Sequence, residues 1–147
     1  MSTMSQTRHS VQDVVTRQID ALNRHDVETL GATYGAGASV WDPQYPELLK
    51  GRDAIVTDYT EFLAGFPDLQ VTVKRTVEQG NDYAVEFSMT GTHKGNLITP
   101  TGQIPATNKR IEIAGCVMGQ IDDEGRIVDE RRYFDFAGML GQLGLLE

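Results

Sequence analysis

Apolar positions in the first part of the chain recur every three to four residues. Val11, Val14, Val15, Ile19 and Leu22 fall on one stripe, which predicts an amphipathic helix opened by Ser10 as its cap. Asn23-Arg24-His25-Asp26 interrupts the stripe, and Val27, Leu30 and Tyr34 predict a second short helix. Gly35 to Gly37 reads as a turn and Ala38 to Trp41 as a short strand. A third helix opens at Asp53, turns Ile55, Tyr59, Phe62, Leu63 and Phe66 inward, and stops at Pro67.

From there the period falls to two. Val71, Val73 and Val77 mark one strand, ended by Gly80-Asn81-Asp82. Tyr83, Val85, Phe87 and Met89 then alternate with Ala84, Glu86, Ser88 and Thr90, the pattern of a half-buried strand. Gly95 to Asn108 is a long Pro/Gly/Thr loop, the kind that serves as a lid or binding loop. Arg110 to Ile121 and Arg126 to Asp135 are two further strands joined by an Asp122-Asp123-Glu124-Gly125 turn, and Gly138 to Leu146 is a closing helix. Helices first and antiparallel strands afterwards give an α+β fold, with helices packed on one face of a curved sheet.

The strand after Gly125 carries charge on both faces: Asp129 and Arg131 on one, Glu130 and Arg132 on the other. Burying an unpaired charge is costly, so one face of this strand implies a polar cavity. Composition narrows what the cavity serves. A formal net charge of −8 argues against nucleic acid and anionic membrane surfaces as partners. Cys116 is the only cysteine, which removes intrachain disulfides and cysteine-built metal sites, and its apolar surroundings suggest a small core residue. The three histidines lack any close ligand spacing, so no metal is expected. No apolar run reaches membrane-spanning length, and the polar start lacks the apolar segment of a signal peptide. The expectation is a cytoplasmic protein, with a tail over residues 1–9 and one domain over residues 10–147.

The order of elements, with particular residues, resembles the cone-shaped α+β barrel superfamily of nuclear transport factor 2, scytalone dehydratase and ketosteroid isomerase. Within it the chain is most similar to the SnoaL-like polyketide cyclases. Trp41-Asp42-Pro43, Lys50-Gly51-Arg52-Asp53-Ala54-Ile55, Phe66-Pro67-Asp68-Leu69, Gly91-Thr92-His93-Lys94-Gly95, Gly125-Arg126-Ile127-Val128 and Asp135 through Gly144 carry the likeness. The resemblance implies a mainly antiparallel, highly curved sheet enclosing a pocket, a homodimer formed through the sheet, and no cofactor. It also implies that Glu130, Arg132 and Phe134 face the cavity, with Gly115 and Val117 on the adjoining strand and Phe87 and Met89 opposite. Trp41 and Tyr59 complete the expected substrate wall. The characterised cyclases have a catalytic aspartate where this chain has Arg132 and a pocket histidine where it has Val117.

Four residues are candidates for chemistry. Glu130 and Arg132 share a strand face and form either an acid–base pair with an oxyanion holder or an exposed ion pair of little energetic weight. Asp42 sits where ketosteroid isomerase has its proton-shuttling aspartate, and otherwise makes an Asp-Pro turn. The isomerase's oxyanion donors align with Gln18 and Val117, and Val117 cannot donate. His93 ends a strand beside the long loop, as an acid/base at the cavity mouth or as a pin for that loop. Asp135 reads as a helix cap. The implied function is proton-transfer chemistry on a hydrophobic, polyketide-like or polycyclic molecule: cyclisation, isomerisation, dehydration or epoxide opening. Epoxide hydrolysis as in limonene epoxide hydrolase needs two carboxylates flanking an arginine, which Asp42 and Glu130 supply only if they converge on Arg132. A non-catalytic binding protein using the same cavity is the alternative.

Overall fold

The computed structural model describes residues 10–146; the tail expected over residues 1–9 and Glu147 lie outside them. Ser10 caps helix α1 (Val11–Asn23), its Oγ accepting from the Asp13 backbone N–H at 3.0 Å. The buried residues of α1 are Val11, Val14, Val15, Gln18 and Ala21, a three-to-four spacing that turns one stripe toward the sheet. His25, at a φ of 58°, turns the chain out of α1. Asp26 then caps α2 (Val27–Ala32) through the Thr29 N–H. Helix α3 (Arg52–Gly65) buries Ile55 and Leu63, with Phe66 buried just beyond it. Helix α4 covers Phe136–Gln142 rather than Gly138 to Leu146, because Asp135 accepts from the Gly138 N–H at 2.7 Å and starts the helix there.

The strands are β1 (Tyr34–Trp41), β2 (Leu49–Lys50), β3 (Gln70–Gln79), β4 (Asp82–Thr92), β5 (Leu97–Thr99), β6 (Gly102–Ile104), β7 (Arg110–Ile121) and β8 (Ile127–Phe134). Six of them form one curved sheet in the order β2-β1-β8-β7-β4-β3. Its pairs are antiparallel except β1 with β8, which run parallel. Two clusters of buried residues fill the space between sheet and helices, one around Tyr34, Val40 and Ile55, the other around Phe66, Leu69 and Met139. Among the described residues no helix is long and apolar enough to cross a membrane.

Three local expectations are corrected. Tyr34 begins a strand rather than ending a helix, and Gly35 to Gly37 belong to that strand. Its pairing with β8 slips between Tyr34 and Ser39, so the glycines absorb an irregularity that sequence alone presents as a turn. The Gly95–Asn108 segment is not an open loop: β5 and β6 pair as a hairpin whose Leu97 is buried against Gly65 of α3. Cys116 is only half-buried, opposite Tyr133 on the sheet face turned away from the helices.

Candidate active site

A cavity lies between the sheet and helices α1 and α3. Its walls are apolar: Ile19 and Leu22 from α1, Phe62 from α3, Leu69 and Val71 at the start of β3, Val85, Phe87 and Met89 from β4, Val117 from β7, and Phe134 from β8. The polar residues that line it, Gln18, Asp42, Gln44, Asp58, Tyr59, Glu130 and Arg132, gather around Arg132.

Strand geometry explains the gathering. Glu130 and Arg132 are two apart on β8, so both side chains leave the same face. Val40 pairs with Glu130 across the parallel β1–β8 ladder, which delivers Asp42, just past the end of β1, to the same place. Asp58 lies three residues after Ile55 and four before Phe62 on the inward stripe of α3.

Arg132 joins these carboxyls. Its Nε donates to Glu130 at 3.0 Å, and its Nη1 donates to Asp42 at 3.0 Å and to Asp58 at 2.6 Å. Nη2 is buried without a protein partner, and the guanidinium carbon stands 4.9 Å from the centre of the Tyr59 ring. The Arg132 side chain is 11% exposed and those of Asp42, Asp58 and Glu130 are 2%, 9% and 1%, so screening by water is slight. Burial opposes the charge on Arg132, but Tyr59, Asp58 and Glu130 outweigh it and hold the guanidinium well above its ordinary value.

Glu130 is fully engaged. Besides Arg132 it accepts from Gln18 Nε2 at 2.9 Å and from the Tyr34 hydroxyl at 2.8 and 2.9 Å. The Tyr34 hydroxyl in turn lies 2.7 Å from that of Tyr59. Burial, then the nearby charge of Glu130, pushes Tyr59 up to about 12 and holds Tyr34 well above the ordinary phenol value, so both phenols stay protonated at neutral pH. Asp42 accepts from the Gln44 backbone N–H at 2.9 Å, and Asp58 from the Tyr45 hydroxyl at 2.7 Å. Burial, then that bond to Asp58, raises the Tyr45 phenol as well. Among the described residues no group of His, Cys, Asp or Glu is arranged to hold a metal ion, and Arg132 fills the point where the three carboxyls meet.

Two expected site residues stand elsewhere. Trp41 does not line the cavity; its ring packs on Tyr133 at 5.2 Å, because odd and even positions at the end of β1 face opposite sides. His93 is buried away from the cavity, its Nδ1 within reach of the Thr107 N–H and hydroxyl and its ring 5.3 Å from that of Phe66. It pins the segment after β6. The β5–β6 hairpin likewise contributes no residue to the cavity wall.

Residues 12–143 match the family described as SnoaL-like polyketide cyclase. The chain belongs to that family. Solved structures with the same fold include IdmH from Streptomyces antibioticus, assigned as a polyketide cyclase. It is 29% identical over 92% of this chain and 99% of that one, with a TM-score of 0.74. A SnoaL-like polyketide cyclase homologue from Jannaschia sp. CCS1 is 17% identical over 92% of each chain, with a TM-score of 0.79. SalBIII, an epoxide hydrolase/cyclase-like enzyme of pyran ring formation in salinomycin, is 16% identical over 94% of this chain and 97% of that one, with a TM-score of 0.70. No functionally curated protein shows significant similarity to the sequence.

This SnoaL-like chain redistributes its polar groups. The positions where the resemblance expects an aspartate and a histidine, Arg132 and Val117, pair across β7 and β8 and both line the cavity. The carboxyls around them come instead from the end of β1, from α3 and from Glu130. Asp58 and Tyr34 were not among the expected site residues, and Gln18 entered only as the position aligned with an oxyanion donor of the isomerase. The available signal was a polar residue on an apolar helical stripe: Gln18 among Val14, Val15 and Leu22, and Asp58 between Ile55 and Phe62. Tyr34 was hidden by the expectation of helix at its position.

Proposed function

We propose that this protein is a cofactor-independent enzyme that moves a proton on a hydrophobic, polyketide-like small molecule. One observation carries the reading: Asp42, Asp58 and Glu130 meet on Arg132 at the polar end of an otherwise apolar cavity, with one guanidinium nitrogen left for a ligand. Glu130, with its oxygens occupied by Gln18, Tyr34 and Arg132, orients the guanidinium. Asp42, at the position aligned with the isomerase's proton-shuttling aspartate, is the base; each of its oxygens, like those of Asp58, accepts a single hydrogen bond and keeps a lone pair for an incoming proton. Arg132 Nη2 holds the oxygen charge that develops as the proton leaves, and the apolar walls strengthen that interaction by keeping water away. Cyclisation, isomerisation and dehydration all begin with such a step.

Epoxide opening is the second reading, favoured by Asp42 and Asp58 both lying on Nη1 of Arg132. One carboxyl would activate water while the other, protonated, delivers a proton to the ring oxygen. The sheet face bearing the exposed side chains of Met118 and Tyr133 is the surface we assign to a homodimer.

The base is testable without the natural substrate. 5-Nitrobenzisoxazole loses its C3 proton to a base, its N–O bond breaks, and a cyanophenolate forms whose oxygen needs a donor. The native protein is expected to turn it over, and Asp42→Asn to lose about a hundredfold or more in kcat/KM while keeping its fold by circular dichroism. Equal rates for the two folded proteins would remove Asp42 as the base, and no turnover by the native protein in this or a substrate panel would leave a binding protein.

A further inference from the structure

The polar end of the cavity holds more open acceptors than donors, and that imbalance describes the ligand. Tyr34 has one hydroxyl proton, and it points at Glu130. Gln18 Nε2 reaches the Tyr34 oxygen at 3.0 Å, so that oxygen accepts. The proton between Tyr34 and Tyr59 therefore comes from Tyr59, whose single donor is turned away from the cavity. Both amide protons of Gln18 are used, on Tyr34 and Glu130. Arg132 Nη2 remains as the buried free donor on the cavity wall; the Tyr83 hydroxyl, also buried without a partner, does not line the cavity. Against it stand the second lone pairs of Asp42 and Asp58 and the oxygen of Tyr59. Gln44, half-buried on the same wall, brings an amide of both kinds and leaves the balance unchanged.

Charge points the same way. Three carboxyls face one guanidinium on its Nε and Nη1, so an incoming carboxylate at Nη2 meets one cation already surrounded by three acidic groups. A hydroxyl answers both needs at once, donating to an aspartate and accepting from Arg132 Nη2. An ether or an ester oxygen only accepts.

We propose that the cavity takes an uncharged, hydroxyl-bearing ring compound, its O–H donated to Asp42 or Asp58 and its oxygen held by Arg132 Nη2, and that it rejects the corresponding carboxylate. This rests on the cavity being the ligand site.

Three probes on one ring test it: 2-naphthol, 2-methoxynaphthalene and 2-naphthoate, titrated against the native protein near neutral pH by their own fluorescence. The hydroxyl compound is expected to bind about tenfold or more tightly than the methyl ether, as for a hydrogen bond to a charged group, and 2-naphthoate to bind most weakly. In Asp42→Asn and Asp58→Asn the preference for 2-naphthol over its ether is expected to shrink to about threefold or less. Val117→Phe, which fills the cavity, is expected to abolish binding of all three. Equal affinity for 2-naphthol and its ether, or 2-naphthoate as the tightest ligand, would overturn the proposal while leaving the cavity a ligand site. No binding of any probe, or binding unchanged in Val117→Phe, would overturn the cavity reading itself.

Discussion

Replacing Arg132 weighs the whole cluster at once. Arg132→Met keeps an apolar side chain against Tyr59 and removes the one cation facing Asp42, Asp58 and Glu130. None of the three carboxyl side chains is more than 9% exposed, so little water screens them from one another. Glu130 keeps Gln18 and Tyr34 as donors, whereas Asp42 and Asp58 each keep one, so the loss falls mainly on the aspartates. Breaking a buried ion pair by removing one partner costs about 3–5 kcal/mol, and with two aspartates stranded the upper end of that range is expected at pH 7. That is a large share of the roughly 5–15 kcal/mol that holds a domain together. Without the cation the folded variant binds protons more readily than its unfolded chain, so its stability rises as the pH falls. Urea melts followed by far-ultraviolet circular dichroism should show a lower midpoint at pH 7 that recovers toward about pH 5. Adding Asp42→Asn and Asp58→Asn to Arg132→Met should restore much of the midpoint, a non-additivity expected of groups in contact. A midpoint equal to that of the native protein at pH 7, or a loss that ignores pH, would refute the electrostatic reasoning.

Three smaller perturbations probe the surroundings. Tyr59 titrates at about 12 in the fold and near 10 when unfolded, so its contribution is complete below about pH 10 and lost above it; Tyr59→Phe should therefore lose less stability than the native protein between pH 10 and about 11, and parallel losses would contradict this. Burial pulls the His93 pKa down, so its contribution is complete above about 6.5 and lost as the pH falls; melting temperatures should drop less between about pH 7 and 5 in His93→Gln than in the native protein, and identical slopes would count against it. Gly119→Ala would drive a methyl into the buried ring and hydroxyl of Tyr83 and should cost about 1–3 kcal/mol in a calorimetric melt, while Gly37→Ala, with open space around it, tests whether the cost comes from that contact.

Periodicity made most of the fold legible. In the stripe from Val11 to Leu22 the three valines are buried and Ile19 and Leu22 are half-buried on the cavity wall; in the alternation from Tyr83 to Thr90, Tyr83, Val85 and Met89 are buried and Phe87 is half-buried on that wall. The charged strand after Gly125 pointed to a polar cavity, because only pairing makes Glu130 and Arg132 tolerable inside. The rest depended on contacts far apart in sequence. Asp42 reaches Arg132 across 90 residues and Asp58 across 74, through a parallel ladder and a helix docking that no local pattern encodes. Trp41 and His93 were misplaced for related reasons. One turned on which side of β1 an end residue faces, the other on the segment after β6 folding back onto it. Tyr34 was lost because the spacing of Val27, Leu30 and Tyr34 reads locally as helix and the glycines after it as a turn, whereas pairing with β8 holds this stretch extended.

The central claim is that the cluster around Arg132 is where the ligand is handled, and a crystal structure grown with a hydroxylated polycyclic ligand tests it most directly. The result expected is a ring lying between Phe62, Phe87 and Phe134, with one oxygen about 3 Å from Arg132 Nη2 and within hydrogen-bond reach of Asp42 or Asp58. A ligand seated elsewhere, or a cavity closed with those side chains turned to solvent, would contradict it.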